Sequence, residues 1–259
     1  MDLIKTERHP RGIVRLVMSY SDARNAMGEA LRGALLDTLG PLQLDPTCRV
    51  LILASGLKDF SVGGDLARMD ALSDPKAGRA RMQSAHRLAR LLLAIDKPMI
   101  VEVNGYAMGA GAGLALMADT VIMGEGAAIG FPFPKVGLAP DFLLGYTLPR
   151  RIGTARARQA LLYARTFRAS EALALGLADE VVPDDQIAAL AQKRAGELAA
   201  LPSHALALTK QMISRAMSAD ATLDFEVQAQ ALCFATDDFR EGVAAFREKR
   251  APLFDGSVE

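Results

Sequence analysis

Three short apolar runs, at residues 13–18, Val50–Ala54 and Met99–Val103, are each followed by a turn and then by a segment with helical spacing of its leucines and alanines. That alternation constrains the fold more than any other feature, because short buried strands separated by amphipathic helices specify an α/β architecture. The first helix follows Asp22–Asn25 and places Ala26, Leu31, Leu35, Leu36 and Leu39 on roughly one face. A second is expected from about 79 to 95. Pro98 stops it, and the next buried strand begins at Met99. Thr120–Met123 reads as a further strand. Pro132, Pro134 and Pro140 make 130–141 a rigid loop leading into a helix that contains Phe142, Leu143, Leu144 and Leu148. The polar stretch 65–78 reads as a mobile connection. From about residue 184 the text changes to long Ala/Leu/Lys/Glu helices with short breaks at Pro202 and Asp220, so the expected organisation is an α/β core over 1–183 and a helical region over 184–259.

With 259 residues, half of them hydrophobic, the chain can bury a sizeable core without disulfides. Thirty basic and thirty acidic residues cancel, which gives no broad field for DNA or RNA. Charged residues precede the first long apolar run and polar ones interrupt every later run, so neither export nor a membrane span is expected. Cys48 and Cys233 form no metal or redox motif and read as thiols of a reducing, cytoplasmic compartment. No resident metal or permanent cofactor is called for.

Two glycine-rich turns carry the chemistry. Phe60-Ser61-Val62-Gly63-Gly64-Asp65 and Asn104-Gly105-Tyr106-Ala107-Met108-Gly109-Ala110-Gly111-Ala112-Gly113 each follow an apolar strand. Glycines let backbone approach a ligand closely, and amides at the start of a helix carry partial positive charge. The N–H groups of Gly64 and Ala110 can therefore aim at one developing oxyanion. The plainer alternative is that these glycines serve tight turns and close packing. Neither turn is a dinucleotide fingerprint or a phosphate loop.

In order along the chain, Arg24-Asn25-Ala26, Leu53-Ala54-Ser55-Gly56, the first glycine turn through Leu66, Lys97-Pro98, the second turn from Val103, Leu148-Pro149-Arg150 and Ala174-Leu175-Gly176-Leu177-Ala178 resemble the enoyl-CoA hydratase/isomerase superfamily, the crotonase family. The resemblance runs from about residue 12 to the Phe246, Lys249 and Phe254 tail. It implies a crotonase fold of stacked β-β-α units, C-terminal helices that assemble trimers or dimers of trimers, and a coenzyme A thioester as substrate, its carbonyl between the amides of Gly64 and Ala110. It also implies that Arg24 and Ala26 lie near the coenzyme A entrance, that Ala54 and Val62 frame the adenine, and that Phe246 and Lys249 approach the nucleotide. For Arg24 and Lys249 the residues themselves leave ordinary solvated charge open, and for the helix carrying Phe246 they leave packing open.

The family's hydratases carry two glutamates that align with Gly113 and Phe133 here, and neither residue can hold or deprotonate water through a side chain. Phe131 and Phe133 suggest either an apolar wall beside the acyl group or core packing. The replacement carboxylate is Asp141, after Pro140, which caps a helix or, as in family isomerases, moves a proton. His86 is a second candidate with a structural alternative. Together His86 and Asp141 align with the catalytic histidine and aspartate of 4-chlorobenzoyl-CoA dehalogenases, although Gly64 stands where those enzymes present a large aromatic residue. The expectation is double-bond isomerisation of an enoyl-CoA. The alternatives are hydratase-like chemistry, hydrolysis or dehalogenation with Asp141 as nucleophile, and a non-catalytic acyl-CoA-binding protein.

Overall fold

A computed structural model describes residues 2–66, 75–214 and 219–254. The stretch read as mobile lies largely outside the described residues. Its helix begins earlier than the spacing suggests, at Pro75, and ends at Ala94.

The apolar runs form the middle of a six-stranded sheet. β1 (Ile4–His9) pairs antiparallel with β2 (Ile13–Met18), and β2, β3 (Val50–Ser55), β4 (Met99–Val103), β6 (Thr120–Gly124) and β9 (Glu180–Val182) continue in parallel, in the order β1-β2-β3-β4-β6-β9. A smaller sheet joins β5 (Tyr106–Met108), β7 (Ala128–Gly130) and β8 (Thr166–Arg168). Three-residue strands leave little periodicity in the text, which is why the second sheet was not expected from it.

Both faces of the large sheet are covered, as its largely apolar strands require. Val14, Leu16, Leu51, Leu53, Val101 and Val121 face the main core with α1 (Glu29–Leu44) and α2 (Pro75–Ala94). Ile13, Val50, Ile52, Ile100 and Ile122 face the other way, onto Ile187, Ala191, Ala195 and Ala199 of α7 (Ile187–Ala199). The first long helix after residue 184 thus completes the α/β layer. On that same face Arg15 forks onto buried Glu102, Nε to Oε1 at 2.9 Å and Nη2 to Oε2 at 2.7 Å, tying β2 to β4.

α3 (Ala110–Ala115) packs on β5, α6 (Ala169–Leu175) on β7, β8 and β9, and α4 (Leu144–Ile152) on α5 (Thr154–Leu162). α8 (Ser203–Ser214) is anchored by Lys210, whose Nζ donates to Lys97 O and Asp119 Oδ2. α9 (Ala219–Phe234) and α10 (Asp237–Glu248) leave Leu223, Val227, Leu232 and Phe246 exposed in the single chain.

Candidate functional site

The two glycine turns lie side by side because Ser61 bridges to Ala107: Ser61 N donates to Tyr106 O and Met108 N to Ser61 O, both at 2.9 Å. Gly63 sits at the crossing with φ +95°, and a Cβ there would stand 2.6 Å from Met108 O, so only glycine lets the turns approach. Past the crossing, Gly64 and Ala110 line one cavity of about 80 Å³. Neither amide donates to an acceptor among the described residues. Two unsatisfied donors facing one cavity suit an acceptor supplied from outside.

Asp141 lines the same cavity, with Pro132, Phe133, Val136 and Leu138 as apolar neighbours. Its Oδ1 is buried with no hydrogen-bond partner. Burial pushes the carboxyl above its ordinary pKa, opposed by the charges of Arg81 and Arg32, by its own backbone amide and by His86. The expectation that Asp141 caps a helix is corrected by the structure. Phe142 and Leu143 take left-handed φ values of +48° and +62°, α4 starts only at Leu144, and the Asp141 contact with it is the main-chain carbonyl accepting from Leu144 N at 3.1 Å. The kink turns the Asp141 side chain away from the helix end and leaves it to the cavity.

The same kink explains Gly113. A Cβ at 113 would lie 2.8 Å from Phe142 Cβ and 2.9 Å from Phe142 O. Phe142, nearly fully buried, occupies the space that any side chain on that turn of α3 would need.

Phe133 is buried and lines the cavity, its ring 3.6 Å from where a Gly109 Cβ would stand. Phe131 does not line it: the ring is fully buried and meets Phe167 edge to face at 6.4 Å, so of the two readings the sequence left open the structure supports core packing. His86 is exposed on α2 and does not line the cavity; its connection to Asp141 is electrostatic. Val62 borders the cavity, while Ala26 and Ala54 are buried beside the first turn and in β3. Arg24 donates from Nε and Nη2 to Oδ2 of Asp59, a buried carboxylate that also accepts from Tyr106 N at 3.1 Å. Phe246 is 85% exposed and lines a separate groove with His204 and Phe239, and Lys249 ends α10 on the surface with φ +56°. Within one chain neither is brought to the cavity.

Three charged residues escaped the sequence reading. Asp59 holds Arg24. Arg32, on the apolar face of α1 between Leu31 and Leu35, is 95% buried, since 5% of it remains accessible, and Arg81 lies half-buried on α2. A lone arginine inside a leucine face was the available signal for Arg32. Among the described residues no cluster of His, Cys, Asp and Glu is arranged to hold a metal ion, and no helix is long and apolar enough to cross a membrane.

The sequence profile of the family described as Enoyl-CoA hydratase/isomerase matches residues 8–257. The chain is 36% identical over 251 residues to the 1,2-epoxyphenylacetyl-CoA isomerase of Escherichia coli (strain K12), covering 95% of this chain and 96% of that protein. It is 34% identical over 246 residues to the crotonyl-CoA hydratase of Syntrophomonas wolfei, covering 93% and 94%. The crystal structure of an enoyl-CoA hydratase from Bacillus anthracis superposes with a TM-score of 0.92 at 28% identity, covering 98% of this chain and 100% of that one. Family profile, full-length relatives and superposed fold agree: the chain belongs to the enoyl-CoA hydratase/isomerase family, the crotonase superfamily, whose α/β fold it shares.

Proposed function

We propose that the protein binds an acyl-CoA thioester and moves the double bond of a 3-enoyl group into conjugation with the carbonyl. The observation that carries this reading is that Asp141 is the one carboxylate lining the cavity among the described residues, while Phe142 fills the room above Gly113 where the family's hydratases carry a glutamate.

The thioester oxygen accepts from the Gly64 and Ala110 amides. Asp141 takes a proton from C2, the C2–H electrons delocalise onto the carbonyl as a dienolate, and the two amides stabilise the oxygen as its charge grows. Each such donor is worth roughly 2.7–4 kcal/mol in the transition state. The protonated Asp141 then returns its proton to C4, leaving the C2–C3 double bond. One carboxylate serves both steps because C2 and C4 lie on one face of a bent dienolate. The apolar wall of Phe133, Val136 and Leu138 keeps water from the dienolate and raises the basicity of Asp141. In this reading Val62 and the free edge of Arg24, beyond its pair with Asp59, meet the coenzyme. The exposed apolar residues of α9 and α10, Phe246 and Lys249 with them, meet neighbouring copies in a trimer or dimer of trimers.

Incubation with a 3-enoyl-CoA tests the proposal, with the rise of 2-enoyl absorbance as readout. Asp141→Asn is expected to abolish it while acyl-CoA binding persists, and unimpaired turnover by that variant refutes the mechanism. Hydration is the second reading, favoured by the hydratase names among the relatives. It predicts a 3-hydroxyacyl-CoA from a 2-enoyl-CoA, seen by mass spectrometry as the gain of one water.

A further inference from the structure

Ser61 is fully buried at the crossing of the two glycine turns and does not line the cavity. A buried hydroxyl needs partners, and this one has two: Oγ donates to Asn25 O at 2.7 Å and accepts from Gly63 N at 3.2 Å. With its proton given to Asn25 O, it is no nucleophile. Asn25 is itself fully buried and takes φ +54°, a left-handed conformation that asparagine tolerates better than most residues. Its Nδ2 donates to Ser55 Oγ at 2.9 Å and to Phe60 O at 3.2 Å, so the carbonyl that Ser61 meets is fixed in place. On its other side the Ser61 side chain meets the start of α3, since a Cβ on Gly111 would stand 2.6 Å from both Cβ and Oγ of Ser61. One small side chain thus touches both turns, while its main chain joins them through Tyr106 and Met108.

The consequence lies in the peptide planes. In a trans peptide the N–H of Gly64 shares a plane with Gly63 O and points the opposite way. Gly63 O accepts from Met27 N at 2.6 Å, and Gly63 N is the group held by Ser61 Oγ, so Gly63 is fixed at both ends and the aim of the Gly64 amide with it. Ala110 N–H is set in the same manner, because Gly109 N donates to Gly130 O at 2.9 Å and Gly109 O accepts from Gly113 N at 3.0 Å. We infer that Ser61 is a positioning residue that holds the Gly64 and Ala110 amides in the relative geometry one carbonyl oxygen requires. The inference rests on the proposed binding of a thioester oxygen by these two amides. Glycine is demanded at 63 by the close approach to Met108 O, yet glycine's conformational freedom would spread the aim of the next amide over many directions. The Ser61 hydroxyl removes that freedom without adding a Cβ at the crossing.

The test is the infrared carbonyl stretch of butyryl-CoA carrying carbon-13 at the thioester carbon, read on the bound probe beside kcat and KM for 3-enoyl-CoA isomerisation. In the native protein, binding is expected to lower the stretching frequency, because two donors draw charge onto the oxygen. Ser61→Ala is expected to lose about half of that shift while butyryl-CoA still binds, one of the two donors being misaimed. Its kcat is expected to fall roughly ten- to a hundredfold with KM within about twofold, as a small misplacement at the reacting group does. Ser61→Cys keeps the volume and hydrogen-bonds only weakly, so it is expected to follow Ser61→Ala and is read in its place where that variant does not fold. The full native shift in either variant overturns the inference, whether or not kcat falls, since the residue would then serve packing alone. Should the native protein shift the band but not isomerise 3-enoyl-CoAs, the proposed function falls and the probe still decides the role of Ser61. No shift in the native protein overturns the inference itself.

Discussion

The packing of Gly113 against Phe142 leaves no room for a side chain at 113, and substitution tests it directly. In Gly113→Ala the added carbon would meet Phe142 Cβ at 2.8 Å and Phe142 O at 2.9 Å, well inside van der Waals contact. Neither atom belongs to a flexible end. Phe142 is held by burial, and its left-handed backbone is already strained. Relief must come from backbone movement, and overpacking of this kind costs about 1–3 kcal/mol. For a chain of this length that lowers Tm by roughly 2–4 °C per kcal/mol, measured at matched protein concentration. Because the moving segment includes Asp141, the activity is expected to fall more than the stability. Phe142→Ala does not rescue the variant, since both clashing atoms remain. Phe142→Gly removes one of them and frees the φ of +48°, so in that background Gly113→Ala is expected to cost about 1 kcal/mol less or better. Equal cost of Gly113→Ala in both backgrounds, or no cost in either, would refute the account of why position 113 is glycine.

Asp141 carries a pH signature in stability opposite to that of an ion-paired aspartate. Its folded pKa is raised by burial, so between the unfolded and folded values the native state binds the extra proton, and its contribution to stability is lost as pH rises through the folded pKa. Asp141→Asn is therefore expected to raise Tm at neutral pH, with the gain vanishing in acid, as thermal melts across pH will show. Glu102→Ala removes the forked partner of Arg15 and leaves it only Glu7, and is expected to cost about 1.5–3 kcal/mol by denaturant unfolding. Cys48 is buried and its thiol is pushed up to about 11, so a disulfide reagent at neutral pH should label Cys233 in the native protein and reach Cys48 only on unfolding.

The large sheet was legible because its central strands are mostly apolar runs, broken only by the paired Arg15 and Glu102, the mark of burial on both faces, and its α/β class followed from the helices between. The three-residue strands of the second sheet have no such mark; they are held by pairing with partners distant in sequence, such as Ile129 opposite Phe167. Gly64, Ala110 and Asp141 were legible as candidates, and the structure brings all three to one cavity, whereas for Phe131 the sequence left acyl wall and core packing open, because an aromatic residue in a loop carries no sign of which way its ring points. The α4 boundary was displaced for a physical reason. Residues with ordinary helix propensity, Phe142 and Leu143, are forced into left-handed conformations by tertiary packing, which local spacing does not encode.

That displacement connects Gly113 and Asp141, the two positions at which the proposed function departs from hydration. A glutamate at 113 and an inward-packed Phe142 are mutually exclusive, since one occupies the space of the other's Cβ. With Phe142 inside, the chain kinks, α4 starts past Asp141, and the Asp141 carboxyl lines the cavity with Gly64 and Ala110. On the proposed reading, the glutamate that the resemblance places at 113 and the cavity carboxylate of Asp141 are alternatives decided by the same packing of Phe142. On that argument, a swap of Asp141 alone into a hydratase of this family should not create an isomerase. A swap of Gly113 and the Pro140–Leu143 segment together should move the carboxylate, and the appearance of 3-enoyl-CoA isomerisation in the joint swap but not in the single one is the measurement that checks it.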